Sequence, residues 1–302
     1  MTVDKPAALQ PGGRVGVVAP AGCVEEADLV AGLAAIRKQG FEVERAQHIL
    51  ARNGYLAGDE SDRAADLIDY FRRDDIDAIF CARGGFGSVQ LLPFLSAAGK
   101  LPAKIFCGYS DITILLNWLL QKRRMVTFHA PMVAMDLARN SSARTQEQFW
   151  RTITGEARDW TIKLSDVLRP GMAEAPMMGG CLSLLVTTLG TPYEIDTEGK
   201  ILFLEDIGEK PYRLERMLTH LKMAGKLQKL AGVVFGDFTD CAGSGPRDLL
   251  EIVKDVFREA TYPLAFGFAA GHGSENLTLP FGVRMRLDTN APSLSLLEAP
   301  VR

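Results

Sequence analysis

The sequence is short of the features that mark several protein classes. No run approaches the ~18 consecutive apolar residues of a membrane span. The opening stretch MTVDKPAALQPGG carries no charged-then-apolar targeting pattern. The chain therefore reads as soluble and cytoplasmic, with no membrane partner. Cysteine is sparse: Cys23, Cys81, Cys107, Cys181 and Cys241 are odd in number and widely spaced, with no CxxC and no Cys/His metal spacing. That excludes a disulfide framework and a zinc site from the expectation, and no motif calls for a cofactor. An excess of either charge is also missing. Lys and Arg total 34 against 37 Asp and Glu, a net charge of −3, which gives no support to a nucleic-acid partner. No internal repeat at a fixed period and no low-complexity tract is present.

What is present suits a globular α/β protein. Hydrophobic residues are 47% and charged residues 24% of 302, enough chain for about two domains and a sizeable core. In the first half, short apolar runs alternate with helical periodicity. Val15–Ala19, Phe41–Val43, Ala78–Cys81, Ile105–Cys107 and Val126–Phe128 read as strands. Residues 25–39, 59–73, 86–98 and 111–122 read as helices, with Asp59 or Ser61 as candidate N-caps of the second. Strand, helix, strand in succession predicts right-handed crossovers and a parallel sheet. Periodicity is poor over 136–178, where Asn140-Ser-Ser142, Arg169-Pro-Gly171 and Ala175-Pro176 occur. This stretch reads as a linker with one helix near 143–154 and a strand near 160–164. The expected organisation is a domain over 1–135, a crossover over 136–178 and a second domain over 179–302. In the last, helices are expected at 180–189, 212–224 and 246–260, and strands at 200–204, 232–235 and 264–268. Short strands near 277–288 and 293–298 suggest a smaller, mixed second sheet.

Ligands of open parallel sheets bind beyond the carboxyl ends of the strands, so the residues following each strand carry the chemistry. Gly108-Tyr-Ser-Asp111 lies between a strand and a helix. Ser110 there is either a helix N-cap or a nucleophile on a sharp elbow, with the Asp111 N–H pointing the same way from a helix N-terminus. Ile112 departs from the G-x-S-x-G form. Arg83-Gly-Gly-Phe-Gly-Ser88 follows another strand. Its paired glycines suit a tight turn, a phosphate cradle or an oxyanion hole, although neither GxxxxGK[ST] nor GxGxxG is matched. Glu205 closes the apolar run Ile201–Leu204 at a sheet edge, either as a solvated turn residue or as the acid that orients a histidine, and Asp206 takes that place if the register differs by one. His272, between Gly271 and Gly273, is the candidate general base. His48, His129 and His220 compete, His129 most seriously as a strand-end residue. Ser, then Glu, then His, each at a strand end, is the order of the α/β-hydrolases.

With these residues in view, the chain resembles the LD-carboxypeptidase family, which includes muramoyltetrapeptide carboxypeptidases and the related microcin C immunity peptidases. The carrying segments are Val15-Gly-Val-Val-Ala-Pro-Ala-Gly22, Ala82-Arg-Gly-Gly-Phe-Gly-Ser88, Phe106-Cys-Gly-Tyr-Ser-Asp111, Leu202-Phe-Leu-Glu-Asp206 and the stretch 267–279 around His272. They span nearly the whole chain in the family's order. The resemblance implies an N-terminal parallel, Rossmann-like α/β domain joined to a smaller C-terminal mixed α/β domain, with the site at their junction and a homodimeric assembly. It implies Ser110 as nucleophile, His272 as general base and acid, and Glu205 as orienting carboxylate, with Gly85 and Asp111 N–H groups as oxyanion hole and no metal. The implied reaction releases terminal D-Ala from a cytoplasmic murein tetrapeptide by cutting the L,D bond after meso-diaminopimelate, in peptidoglycan recycling. Alternatives are an immunity-type peptidase acting on a peptidyl- or aminoacyl-nucleotide and, in another class, a sugar- or nucleotide-binding module. An exopeptidase must hold a free carboxylate, and Arg83, next to the Gly-Gly turn, is the candidate for it. One departure from the family pattern is Cys181 in Met178-Gly-Gly-Cys-Leu182, where asparagine is expected.

Overall fold

The structure, a computed structural model, describes residues 3–139, 141–241 and 248–302. The chain divides into two compact units. One takes the residues up to 157 together with 277–281 and 299–302; the other takes 158–276 and 282–298. The stretch 136–178 is thus shared between them.

The first unit alternates β1 (Arg14–Val18), α1 (Glu26–Lys38), β2 (Glu42–Arg45), α2 (Glu60–Arg72), β3 (Ala78–Cys81), α3 (Leu92–Ala97), β4 (Ile105–Gly108), α4 (Thr113–Arg123), β5 (Thr127–His129) and α5 (Ala143–Ile153). The second contains β6 (Trp160–Lys163), β7 (Asp166–Arg169), β8 (Met172–Cys181), α6 (Leu182–Thr187), β9 (Ile201–Ile207), α7 (Pro211–Met223), β10 (Gly232–Thr239), α8 (Leu249–Val256) and β11 (Leu264–Phe266). The chain then returns to the first unit for β12 (Leu279–Phe281) before finishing the second with β13 (Arg284–Asp288) and β14 (Ser293–Leu296).

The first sheet has the order β12-β5-β4-β3-β1-β2. β2, β1, β3, β4 and β5 run parallel, and β12 closes the edge antiparallel to β5. β3 and β4 are buried throughout, which is why the sequence shows unbroken apolar runs there rather than alternation. The chain leaves β1 for β2 on one side and returns past β1 to β3 on the other. The crevice at that reversal, beyond the carboxyl ends of β1, β3 and β4, is where such sheets place ligands. Helix ends follow ordinary electrostatics. Glu26 and Asp28 open α1 and Arg37 and Lys38 close it. Ser142 Oγ caps α5 by accepting from the Thr145 N–H at 3.1 Å. Asp59 precedes α2 without capping it; its carboxylate accepts from Asn53 Nδ2 instead, at 2.9 Å.

The second sheet has eight strands, in the order β6-β14-β13-β8-β9-β10-β11-β7. Its centre, β8 to β11, is parallel, and its flanks are antiparallel. β6 and β7 occupy opposite edges, yet only Leu164 and Ser165 separate them in the chain. A link that short spans about 10 Å, so the sheet curls until its two edges nearly meet.

Several expectations change. The second sheet is mixed, but it has more strands than the first sheet. The strand expected within 277–288 divides: β12 joins the first sheet and β13 the second. The helix expected over 86–98 breaks into a 3₁₀ turn over Ser88–Leu91 followed by α3, because Gly87 takes φ +126° and cannot begin a helix. The helix expected from 180 begins at 182, since β8 continues through Cys181. α8 starts after the capping Asp248 and ends at Val256. The expected helical residues 246 and 247, and Asn140 of the linker signal, lie outside the described residues.

One side chain ties the first unit's loops together. Arg63, on the buried stripe of α2 with Leu67 and Phe71, is only 2% exposed. Its Nη1 donates to the carbonyls of Pro20 at 2.8 Å and Gly87 at 2.9 Å, Nε donates to Gly58 O at 3.3 Å, and Nη2 donates to Gln90 Oε1 at 2.6 Å. Arg63→Met keeps much of the bulk and strands those acceptors. We expect a loss of about 3 kcal/mol or more. Thermal unfolding should show a fall in midpoint of at least about 6 °C, at 2–4 °C per kcal/mol. An unchanged midpoint would show that Arg63 is not a structural tie.

Candidate active site

The first unit builds the surroundings of Ser110. β4 ends at Gly108, and Ser110 opens a 3₁₀ turn over Ser110–Ile112 that leads into α4. Ser110 sits at φ +60°, a left-handed conformation that costs a non-glycine residue energy and is found where function over-determines the backbone. This corrects the reading of Ser110 as an N-cap. The cap position is Tyr109, which makes no side-chain cap bond, and the half-exposed serine stands at the apex of the turn. The missing second glycine of the elbow is also explained. A Cβ on Gly108 would come within 2.9 Å of the Ile112 side chain, so Gly108 supplies the room that Ile112 fills.

The Gly-Gly turn lies against this serine. A Cβ on Gly84 would meet Ser110 Cβ at 2.8 Å, Ser110 Oγ at 2.9 Å and Asp111 N at 3.3 Å, so any side chain there would displace the serine. Gly84 O accepts from the Gly22 N–H at 3.0 Å. Because a trans peptide sets its C=O and N–H in opposite directions, that bond turns the Gly85 N–H away from Gly22. Among the described residues of the first unit neither the Gly85 nor the Asp111 N–H donates a hydrogen bond.

The Asp111 side chain does separate work. Fully buried, its Oδ2 accepts from the Ser88 N–H at 2.8 Å, while the Ser88 hydroxyl donates to Asp111 O at 2.7 Å. This reciprocal pair clamps the Gly-Gly loop to the serine turn. Burial pushes the Asp111 carboxyl up, and Ser88 and the Arg63 charge pull it back. Sequence reasoning missed both Ser88 and Arg63. The signal for Arg63 was available: an arginine four residues before Leu67 on the apolar stripe of α2. Arg83, the candidate carboxylate holder, is half-buried, and its Nη1 donates to Cys23 O at 3.1 Å, so part of the fork is committed to the loop after β1.

The second unit holds the acid and the base together. Glu205, near the end of β9 and fully buried, accepts at Oε2 from His272 Nδ1 at 2.7 Å. Gly271 permits this approach. At φ +123° it is a glycine conformation, and a Cβ there would lie 2.7 Å from Glu205 Oε2. A carboxylate can only accept, so Nδ1 carries the proton of this bond and Nε2 is the basic nitrogen of the neutral ring. Asp206 is excluded from this role because its carboxylate accepts from Ser183 N at 2.8 Å, Ser183 Oγ at 3.2 Å and Ile207 N at 2.9 Å. Cys181, at the departure from the family pattern, has its sulfur 3.5 Å from Asp206 Oδ1, and burial raises its thiol well above the ordinary range.

The rival histidines are placed elsewhere. His48 Nδ1 pairs with Asp66 at 2.9 Å in a loop of the first unit. His129 is fully buried in β5, with its ring packed beside Tyr109 and Phe281. His220 is exposed on α7. Among the described residues no group of three His, Cys, Asp or Glu is arranged for a metal ion, and no helix is long and apolar enough to cross a membrane.

The first unit is thus a parallel α/β unit with a strained serine turn packed against a Gly-Gly turn, and the second a mixed α/β unit with a buried Glu–His pair. The N-terminal domain model of LD-carboxypeptidases matches residues 15–130, and the C-terminal domain model matches 174–287. The chain belongs to the LD-carboxypeptidase family, a family of peptidases. It is 39% identical over 305 residues to the probable murein peptide carboxypeptidase of Bacillus subtilis, covering 98% of this chain and 95% of that one. Among solved structures it resembles the muramoyltetrapeptide carboxypeptidase of Oxalobacter formigenes, with TM-score 0.84, 30% identity, and coverage of 94% of this chain and 97% of that one. It also resembles MccF, the microcin C7 self-immunity protein known from Escherichia coli, in complex with glutamyl sulfamoyl guanosine. There the TM-score is 0.88 and the identity 25%, with 99% of each chain covered.

Burial raises the Glu205 carboxyl above its usual 4.5, His272 opposes the shift, and the Asp206 and Asp237 charges add to it. A carboxyl raised in the folded state favours folding below its unfolded pKa, and that contribution is lost as pH rises through the folded value. Glu205→Gln removes this titration. The stability of the wild type relative to the variant should therefore grow as pH falls from neutral toward 4.5. Denaturant unfolding at several pH values measures it, and a pH-independent difference would contradict the burial argument.

Proposed function

We propose that the protein is a serine LD-carboxypeptidase that removes the terminal D-Ala of murein tetrapeptide in cytoplasmic peptidoglycan recycling. The observation that carries the reading is the 2.7 Å bond from His272 Nδ1 to buried Glu205, which fixes the imidazole with Nε2 as its basic atom. The strained turn at Ser110 supports the nucleophile, and the two undonated N–H groups of Gly85 and Asp111 support an oxyanion hole.

In this reading Ser110 Oγ attacks the carbonyl of the L,D bond as His272 Nε2 takes its proton. The Gly85 and Asp111 N–H groups receive the oxyanion. His272 then returns the proton to the leaving D-Ala nitrogen, and the C–N bond breaks. Water repeats the sequence on the acyl-enzyme, regenerating Ser110 and releasing the tripeptide. Glu205 holds the imidazole and balances its charge without being protonated. Arg83 is proposed to hold the terminal carboxylate with the part of its fork not bonded to Cys23. The likeness to MccF over nearly the whole chain favours a second reading, hydrolysis of an aminoacyl-nucleotide. Assaying both substrates separates the two.

Incubation with murein tetrapeptide followed by mass spectrometry should show loss of one alanine. Ser110→Ala should abolish that loss and retain the fold, and a folded variant with near-normal turnover removes Ser110 from the mechanism. Amidating the substrate's C-terminus should lower turnover about 100-fold, the scale of one charge-assisted contact, and replacing the terminal D-Ala by L-Ala should also suppress cleavage. Equal turnover of all three peptides would leave a serine hydrolase but end the LD-carboxypeptidase reading.

A further inference from the structure

Beside the Glu205–His272 pair stands a carboxylate that the mechanism does not use. Asp237 lies near the end of β10, where the pairing with β9 changes register. Phe235 faces Leu204 but Phe238 faces Asp206, so β10 carries one extra residue there. Such a bulge re-aims a side chain next to a site. The Asp237 N–H donates to Ala270 O at 3.0 Å, fastening the bulge to the loop that carries His272. The carboxylate turns toward that loop: a Cβ on Gly273 would collide with Asp237 Oδ2, so residue 273 is left without a side chain where the acid sits.

Half-buried Asp237 accepts no side-chain hydrogen bond and forms no ion pair among the described residues. Glu275 repels its charge and the imidazole of His272 attracts it, and Glu205 and Asp237 repel each other. Fully buried Glu205 next to it has a second oxygen, Oε1, that also lacks a donor. Among the described residues no lysine or arginine forms an ion pair with Asp237 or Glu205. Partial burial without a donor makes ionised Asp237 costly in the free protein, and its carboxyl is pushed up accordingly. An arriving cation that also donates hydrogen bonds relieves that cost.

We propose that Asp237 is a specificity-determining residue whose carboxylate receives an ammonium group of the bound peptide. This rests on the peptide-substrate reading above. Murein tetrapeptide offers two sources of the same chemistry, the side-chain amine of its diaminopimelate residue and its N-terminal amine.

Binding to the uncleaving Ser110→Ala protein tests the inference by calorimetry with three peptides: the tetrapeptide, the same peptide acetylated at the diaminopimelate side-chain amine, and the same peptide acetylated at the N-terminus. One acetylation should weaken binding at least about tenfold, the scale of a charge-assisted contact, and it identifies the ammonium received. In Ser110→Ala/Asp237→Asn all three peptides should bind within about twofold of one another, and Asp237→Ser should give the same collapse. Equal binding of the three peptides to Ser110→Ala, discrimination that survives both substitutions at Asp237, or no binding at all would overturn the inference. If the wild-type protein leaves the tetrapeptide intact while Ser110→Ala still discriminates, the carboxypeptidase reading fails and the role of Asp237 stands.

Discussion

A guanidinium buried away from water must find acceptors for its N–H groups, and in this protein Arg63 finds them in the loops that follow strands. It bonds the carbonyls of Pro20, Gly58 and Gly87 and the side chain of Gln90. Gly87 leads directly into Ser88, which exchanges hydrogen bonds with Asp111, the residue after the serine at the turn. The positive charge of Arg63 in turn acts on the Asp111 carboxyl. One desolvated cation and one desolvated acid thus hold the loops after β1, β3 and β4 in a single arrangement. Such a network has few alternatives, since shifting any loop strands a buried polar group.

That rigidity is what lets Ser110 keep its left-handed backbone. A residue at φ +60° persists only where its neighbours exclude the relaxed conformation. Ile112 packed over Gly108 on one side and Gly84 against the serine on the other do this. In the second unit the cost falls on a carboxylate instead. Glu205 is held fully buried, where its ionised form is disfavoured, so that its bond to His272 is short and shielded from water. Both units give up stability for an aligned polar group, one through backbone strain and one through desolvation.

Much of the fold was legible in the chain because its cause is local. The unbroken apolar runs of β1, β3 and β4 reflect burial on both faces, and α1 announces itself by acids at its start and bases at its end. The residues after each strand could be picked out as chemistry-bearing because a parallel sheet offers only that edge to a ligand. Less legible were the elements whose partners are remote. Nothing in Leu279-Pro-Phe281 says that it pairs with β5, about 150 positions earlier in the chain, and nothing in the two-residue link between β6 and β7 says that they lie at opposite edges of one sheet.

The sequence by itself determined the strand-and-helix alternation, the Gly-Gly turn, and the candidacy of Ser110, Glu205 and His272, because each rests on residue type and on neighbours within a few positions. Tertiary structure alone decided between Glu205 and Asp206, adjacent acids that alternate across a strand: one reaches the imidazole and the other is consumed by Ser183. It also decided that Ser110 stands at a strained apex rather than capping a helix, that Asp111 serves as a clamp through its side chain, and that a bulge turns Asp237 toward the histidine loop. The reason is common to all of them. A hydrogen bond or a close approach between residues tens of positions apart depends on where the fold returns the chain, and no periodicity in the sequence encodes that distance.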